Sequence, residues 1–440
     1  MKLNRSLNVL VFCSVLGIPT ISCQKRQYTS LPDNFTGEVF KHIEYLSSKI
    51  GIRPAGTDKE KDAAGYICNQ FKLAGAKSVI EPIAFESAEI EKTVLLVGDR
   101  PYNVKSIGFN PYKGITEFSG KALLYDSNQP SAQGNSGDIT GKAVISANPS
   151  NFFTIMRMNP ALILYVDTVS CNRIKSAGDF KFNLKMDVRL RRYESSNIVG
   201  MIGDSSDQAK EIIISAHYDS YRTSPGADDN ATGAGVLIEL VKYFKSIGIP
   251  GGIRIKFIAF GAEELGLVGS RGYLLKHSGS LDHCELMINL DQVGGMSDCS
   301  VDMNGGVHGL PLRKGMNQFP EIISGRALED LYGRWKLLEP SLISCFSISD
   351  HPQWLVDLIQ KVVKNLGVRI IPSNNLGSDQ MTFSQAGIVS TGIGISGNPF
   401  HSPADTLGNV YPPSIKKAGE FTAGLALETI WKLTGNKISN

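Results

Sequence analysis

A chain of 440 residues is too long for one ordinary hydrophobic core, so two domains, or one large domain carrying an insertion, are expected. Hydrophobic residues make up 42% and charged residues 20%, the balance of a soluble globular protein. A net charge of +3 spread along the chain forms no basic stripe, which argues against nucleic acid as a partner.

The N-terminus differs from the rest. Lys2 and Arg5 precede an apolar stretch from Leu7 to Ile18 that has the length of a signal-peptide core and is too short to span a bilayer, so residues 1–22 read as an export signal. Ser22-Cys23 resembles a bacterial lipoprotein cleavage box, although Thr20 stands where that box usually has Leu. The expectation is an exported protein: a periplasmic or outer-membrane-associated lipoprotein anchored through Cys23, or a plainly secreted one cleaved near Ser22. Seven cysteines include Cys13 and Cys23, leaving an odd number in the mature body and none at CxxC spacing. At most two disulfides are expected, with Cys68 a buried free thiol, and a cysteine metal site is not.

Residues Asp33 to Gly75 hold two helical patterns separated by the turn GIRPAGT. SVIEPIAF, Ser78 to Phe85, alternates apolar and polar positions and reads as a strand at a sheet edge. From Lys92 to Arg192 the texture changes to short apolar runs split by Gly, Asn, Ser and Pro, the mark of a strand-rich module. Because SSNIVGMIGD, Ser195 to Asp204, resumes strand patterning, this module reads as an insertion at 92–192 into a host domain formed by 33–91 and 193–440. One long excursion of a single domain is the alternative.

The run Ile212-Ile213-Ile214 predicts a strand buried on both faces, which delivers His217 and Asp219 where it ends. After Pro225-Gly226, Asp228-Asp229-Asn230 leads into a helix over 231–247, whose start suits carboxylates and an amide. A strand at 253–260, a helix at 267–276 and a strand at 285–290 follow. This alternation predicts an α/β fold whose mixed, mostly parallel sheet is flanked by helices, with ligands beyond the carboxyl ends of the strands.

Glu263-Glu264 emerges at one such end, after IRIKFIAF. Adjacent glutamates are usually solvated surface, but Phe260, Gly261, Leu265 and Gly266 flank this pair, and carboxylates buried among them need cations. Asp291 ends the strand LMINL, where an aspartate is otherwise a cap or turn residue. His401 follows the apolar run GIVSTGIGIS in the loop NPFHSPADT. His217, Asp228, Glu264, Asp291 and His401 thus occupy equivalent topological places, and imidazole with carboxylate suits a pair of zinc ions, since one carboxylate can bridge two metals.

HYDS, GADDNATG, FGAEELGLVGS, NLDQVG and FHSPADT together resemble the motif set of the MH-clan co-catalytic zinc aminopeptidases. The resemblance runs from Asn34 to the C-terminal helix, GIRPAGT fits it, and 92–192 looks like the protease-associated (PA) domain that some members carry there. It implies two Zn2+ per chain bridged by Asp228, with His217 and Asp291 on one and Glu264 and His401 on the other. It further implies Glu263 as the general base, Asp219 as the group orienting His217, a cis peptide at Asp228-Asp229, and peptide substrates. Two departures stand out: Ser378-Asp379-Gln380 replaces the usual Ser-Asp-His, and no tyrosine lies between Gly333 and Gln380 to polarise the substrate carbonyl, so the oxyanion partner is unassigned. Carboxypeptidase or dipeptidase activity on the same scaffold is the alternative within enzymes. A glutaminyl cyclase would use one zinc, and a non-catalytic peptide-binding protein would be expected to have lost Glu263 or a ligand.

Overall fold

The computed structural model describes residues 30–109, 117–125, 142–147, 162–176, 181–295, 300–302, 335–337, 351–371, 377–395 and 400–435. The expected export signal at 1–22, Cys23, Cys299 and Cys345 lie outside the described residues. Among the described residues no helix is long and apolar enough to cross a membrane.

Helix α1 (Phe35–Glu44) continues through a wider turn over Tyr45–Ile50, and α2 (Asp58–Leu73) begins at Thr57, whose hydroxyl accepts the Glu60 N–H. Strands β1 (Lys77–Val97), β2 (Arg100–Tyr102), β3 (Val104–Phe109), β4 (Glu117–Tyr125), β5 (Ala143–Ser146) and β6 (Leu162–Val166) precede helix α3 (Thr168–Ser176). Then come β7 (Lys181–Gly203), β8 (Lys210–His217), α4 (Gly233–Ile247), β9 (Ile253–Phe260), α5 (Val268–His277) and β10 (Cys284–Leu290). The short strands β11 (Ser300–Asp302) and β12 (Trp335–Leu337), helix α6 (Gln353–Leu366), β13 (Arg369–Ile371), α7 (Gln380–Gln385), β14 (Ser390–Ile393) and α8 (Pro412–Thr434) complete the described chain.

The sheet centre follows from the doubly buried runs. β8 is buried from Glu211 to His217, and it pairs in parallel with β9 on one side and β10 on the other. β14 adds in parallel to β10, so the order β14-β10-β8-β9 sends four carboxyl ends the same way. β7 then pairs antiparallel with β9, and β1 with β7. The apolar layer over this centre includes Val199, Ile213, Ile258, Phe260, Tyr273, Met287 and Phe383.

A separate apolar cluster lies within 92–192, with Leu95, Ile145, Leu162, Leu164, Phe182 and Leu184. β1 is far longer than the expected 78–85, and the β1–β7 ladder runs past both Lys92 and Arg192, interrupted by a register shift between Ile90 and Lys92. Cys68, Cys171 and Cys284 are free thiols, the first of them buried.

Helix α5 comes so close to the end of β9 that a Cβ on Gly269 would lie 2.7 Å from Asn197 Oδ1 and collide with the Gly261 carbonyl. Asn197 Nδ2 donates to the Gly269 carbonyl at 2.9 Å, which locks the approach. Gly269→Ala is therefore expected to cost roughly 1–3 kcal/mol in denaturant unfolding. Gly279→Ala, where no atom lies within 4 Å of the added Cβ, is expected to stay within about 0.5 kcal/mol of wild type.

Candidate metal centre

The site forms at the four carboxyl ends. His217 is the last residue of β8, Glu263 and Glu264 follow β9, Asp291 follows β10, and His401 reaches in from the loop beyond β14. His217 Nε2 lies 3.2 Å from Asp229 Oδ1 and 3.4 Å from Asp291 Oδ1. His401 Nε2 lies 3.2 Å from Asp229 Oδ2 and 3.0 Å from Glu264 Oε2. Two donor sets result, His217 with Asp229 and Asp291, and Asp229 with Glu264 and His401, each with its atoms within 4.8 Å of one another.

These spacings fit metal ions. Two donors each about 2.0–2.1 Å from one tetrahedral zinc lie roughly 3.3 Å apart, the separation seen between partners here. Glu264 Oε1 and Asp291 Oδ1 are buried without a hydrogen-bond partner, a costly state for carboxylate oxygens unless a cation is at hand.

The expected bridge must be corrected. The carboxylate that offers one oxygen to each histidine belongs to Asp229, whereas Asp228 turns inward: its Oδ1 accepts the Gly294 N–H at 2.7 Å and the Thr232 hydroxyl at 3.3 Å. The cis peptide likewise lies one residue later than expected, at Asp229-Asn230. Helix α4 begins at Gly233, two residues beyond the predicted start, and its first amide is taken by Asn230 Oδ1 at 3.0 Å rather than by either aspartate. Asn230 Nδ2 also donates to the Leu290 carbonyl at 2.8 Å, tying this turn to the end of β10 beside Asp291.

Asp219 reaches further than expected. Its Oδ1 faces His217 Nδ1 at 3.4 Å, and its two oxygens accept the amides of Glu263 and Glu264 at 3.1 and 3.2 Å. One buried carboxylate therefore faces an imidazole and holds the turn that carries both glutamates. Asp405, in the same motif as His401, was not singled out by sequence reasoning. It accepts the amides of Asp228 and Asp229 at 2.7 and 3.1 Å, and only its place in FHSPADT marked it. Gln380, at the position where the resemblance leads one to expect histidine, accepts from Asn289 Nδ2 at 3.0 Å, in a buried network that includes Ser378 and Ser215.

Charge accumulates here. Burial pushes the Glu263 carboxyl well above its ordinary range, with Glu264, Asp291 and Asp379 adding repulsion. Burial and Asp229 push Glu264 to about 7, and burial pushes Asp379 to about 7. For His401, burial works downward, but contact with Asp229 and Glu264 overcomes it and lifts the imidazole to about 11. Burial also opposes protonation of His217, yet Glu263, Asp291, Asp219 and Asp229 raise it well above the usual value. At the rim, Tyr221 stacks on His401 with ring centroids 4.4 Å apart, and Phe400 is 51% exposed.

Two expectations follow. In the metal-free protein both imidazoles hold protons that a metal must displace, so apparent metal affinity should rise with pH between 5 and 8, up to about tenfold per pH unit for each proton released. Calorimetry in buffers of different ionisation enthalpy measures that release, and a pH-independent affinity would contradict it. Asp229→Asn should weaken both metal sites, whereas Asp228→Asn, whose Oδ1 can still accept from Gly294, should leave metal content near wild type by elemental analysis.

Residues 197–306, which include every residue of the two donor sets except His401, match peptidase family M28. Aminopeptidase YwaD of Bacillus subtilis (strain 168) is 24% identical, over 89% of this chain and 84% of that protein. An aminopeptidase structure from Aneurinibacillus sp. strain AM-1 superposes with a TM-score of 0.61 at 18% identity, covering 89% of this chain and 93% of that one. BSAP, a zinc aminopeptidase from Bacillus subtilis, does so with a TM-score of 0.58 at 19% identity, covering 92% and 96%. The structural likenesses establish a shared fold. The segment that builds most of the site therefore matches the M28 peptidases, and the fold around it is the one shared with these zinc aminopeptidase structures.

Proposed function

We propose that this protein is an exported di-zinc aminopeptidase that removes N-terminal residues from peptides. The observation that carries the reading is a pair of donor sets sharing Asp229, with neighbouring donors 3.0–3.4 Å apart. His217, Asp229 and Asp291 would hold one zinc, and Asp229, Glu264 and His401 the other. The zinc pair, when bound, supplies Lewis acidity that makes water nucleophilic near neutral pH and polarises a peptide carbonyl.

The chain's own groups do the rest. Glu263 takes the proton of the attacking water and returns it to the leaving amine, a role its buried place next to Glu264 and close to His217 and Asp291 supports. Asp219 keeps the Glu263-Glu264 turn and the His217 ring in place. Among the described residues, no arginine or lysine forms an ion pair with Asp219, Asp229, Glu263, Glu264 or Asp291. Asp379 and Asp405 add to these carboxylates, and two zinc ions together with the buried Arg53 offset only part of the total negative charge, so an α-ammonium is attracted and a C-terminal carboxylate repelled. Relatives named as aminopeptidases point the same way. Export rests on Lys2, Arg5, the apolar run Leu7 to Ile18 and Ser22-Cys23, and we read 92–192 as a PA-type module.

Glu263→Gln should retain two metals per chain while kcat falls by roughly 10²–10⁴-fold. Loss of metal along with activity would remove Glu263 from the role of base. With wild-type enzyme, free peptides should be cleaved and N-acetylated ones refused; cleavage of N-acetylated peptides combined with refusal of C-amidated ones would establish a carboxypeptidase instead. Mass analysis of protein from the native host should find a chain beginning near Cys23, and a retained Met1 would refute export.

A further inference from the structure

We infer that Arg53, which supplies no donor to either metal, is the positioning residue that sets the distance between the His217 and Asp229 arms of the metal centre. The inference rests on the metal-binding reading above. Arg53 is fully buried, and its guanidinium donates to main-chain carbonyls. Nε donates to the Tyr218 carbonyl at 2.6 Å, between His217 and Asp219, while Nη1 and Nη2 donate to the Pro225 and Gly226 carbonyls at 2.6 and 2.8 Å, just before Asp229. The Arg53 N–H donates to Ser220 Oγ at 3.0 Å, and that hydroxyl is 3.0 Å from the Ser224 carbonyl. One planar fork thus joins the strand end that carries His217 to the turn that presents Asp229.

The turn is gripped from its other side as well. Asp405 accepts the amides of residues 228 and 229, and Ser224 Oγ lies 3.3 Å from its Oδ2, so Arg53 holds the carbonyls of this segment and Asp405 its amides. There is no slack between them. Gly226 has φ +64°, and a Cβ there would lie 2.5 Å from the Asp229 carbonyl and 3.1 Å from Arg53 Nη2. A buried guanidinium is expensive, and burial pulls its pKa down to about 10 against the attraction of Asp219, Asp405, Asp229 and Glu264. It stays charged at neutral pH, and only arginine offers donors in this fixed fork.

Three roles predict different metal binding. A positive charge acting only through its field repels cations, so removing it would tighten metal binding. A purely structural brace would lower thermal stability and leave the affinities of the folded protein unchanged. A positioning residue predicts weaker binding despite the lost repulsion, because the shared Asp229 arm would drift from His217.

The test is Co2+ titration of metal-free wild type, Arg53→Lys and Arg53→Ala, followed by visible absorption and calorimetry, with folding verified by circular dichroism. Wild type should take two ions. Arg53→Lys, which keeps the charge and loses the fork, should bind at least one of them roughly 10–100-fold more weakly. In Arg53→Ala, ethylguanidinium should restore part of the absorption and ethylammonium should not. Two ions bound by Arg53→Lys at wild-type affinity, or more tightly, would overturn the inference. If Arg53→Lys does not fold, Ser220→Ala decides: a severalfold weaker affinity supports positioning and an unchanged one overturns it. Wild type binding no Co2+ would overturn the metal reading itself, and this inference with it.

Discussion

The carboxylate of Asp229 is the point on which the site depends. Both of its oxygens are committed, one toward each imidazole, and it is almost wholly buried. Its main-chain neighbours are therefore held with unusual completeness: amides by Asp405, preceding carbonyls by Arg53, and the following side chain, Asn230, by the ends of β10 and the start of α4. The parallel sheet supplies rigid strand ends, while this short turn converts them into two adjoining donor sets.

The fold centre was legible because strands buried on both faces leave continuous apolar runs, and because polar residues directly after such runs have few places to go. His217, Glu264, Asp291 and His401 were readable on that ground. Asp228 and Asp229 were not distinguishable, since both are buried and both lie in one turn; which carboxylate faces the histidines depends on backbone angles that neighbouring residue types do not encode. Arg53 and Asp405 act through main-chain groups of a distant turn, and a residue that recognises backbone carries no partner signal in the sequence. The extent of β1 was hidden for a related reason: a ladder crossing from one core to another changes its burial pattern midway while its hydrogen bonding continues.

Backbone strain gathers at the same place. Among the described residues, the non-glycine positions with left-handed φ are Ala262, Leu267, Gln292 and His401, and three of them lie at or within two residues of a donor. Each such residue costs on the order of 1–3 kcal/mol, and strain of that size persists only where surrounding contacts over-determine it. Here those contacts are visible: Ala262 donates to Glu60 Oε1, and the Gln292 amide to Asn230 Oδ1. The sharp bends aim side chains back over the strand ends, where a regular continuation would carry them past.

The β1–β7 ladder bears on how the molecule assembles. β1 is made early, yet its main partner is a strand that begins more than eighty residues later, so the edge of the peptidase sheet stays open while the intervening stretch emerges. Closing a flexible loop of that length is entropically unfavourable and slows pairing. The intervening stretch builds a core to which Leu95 and Val97 of β1 contribute alongside Phe182 and Leu184 of β7. With the far ends of both strands sharing that core, the loop left to close between the remaining pairs, toward Lys77 and Met201, is far shorter than the sequence separation suggests.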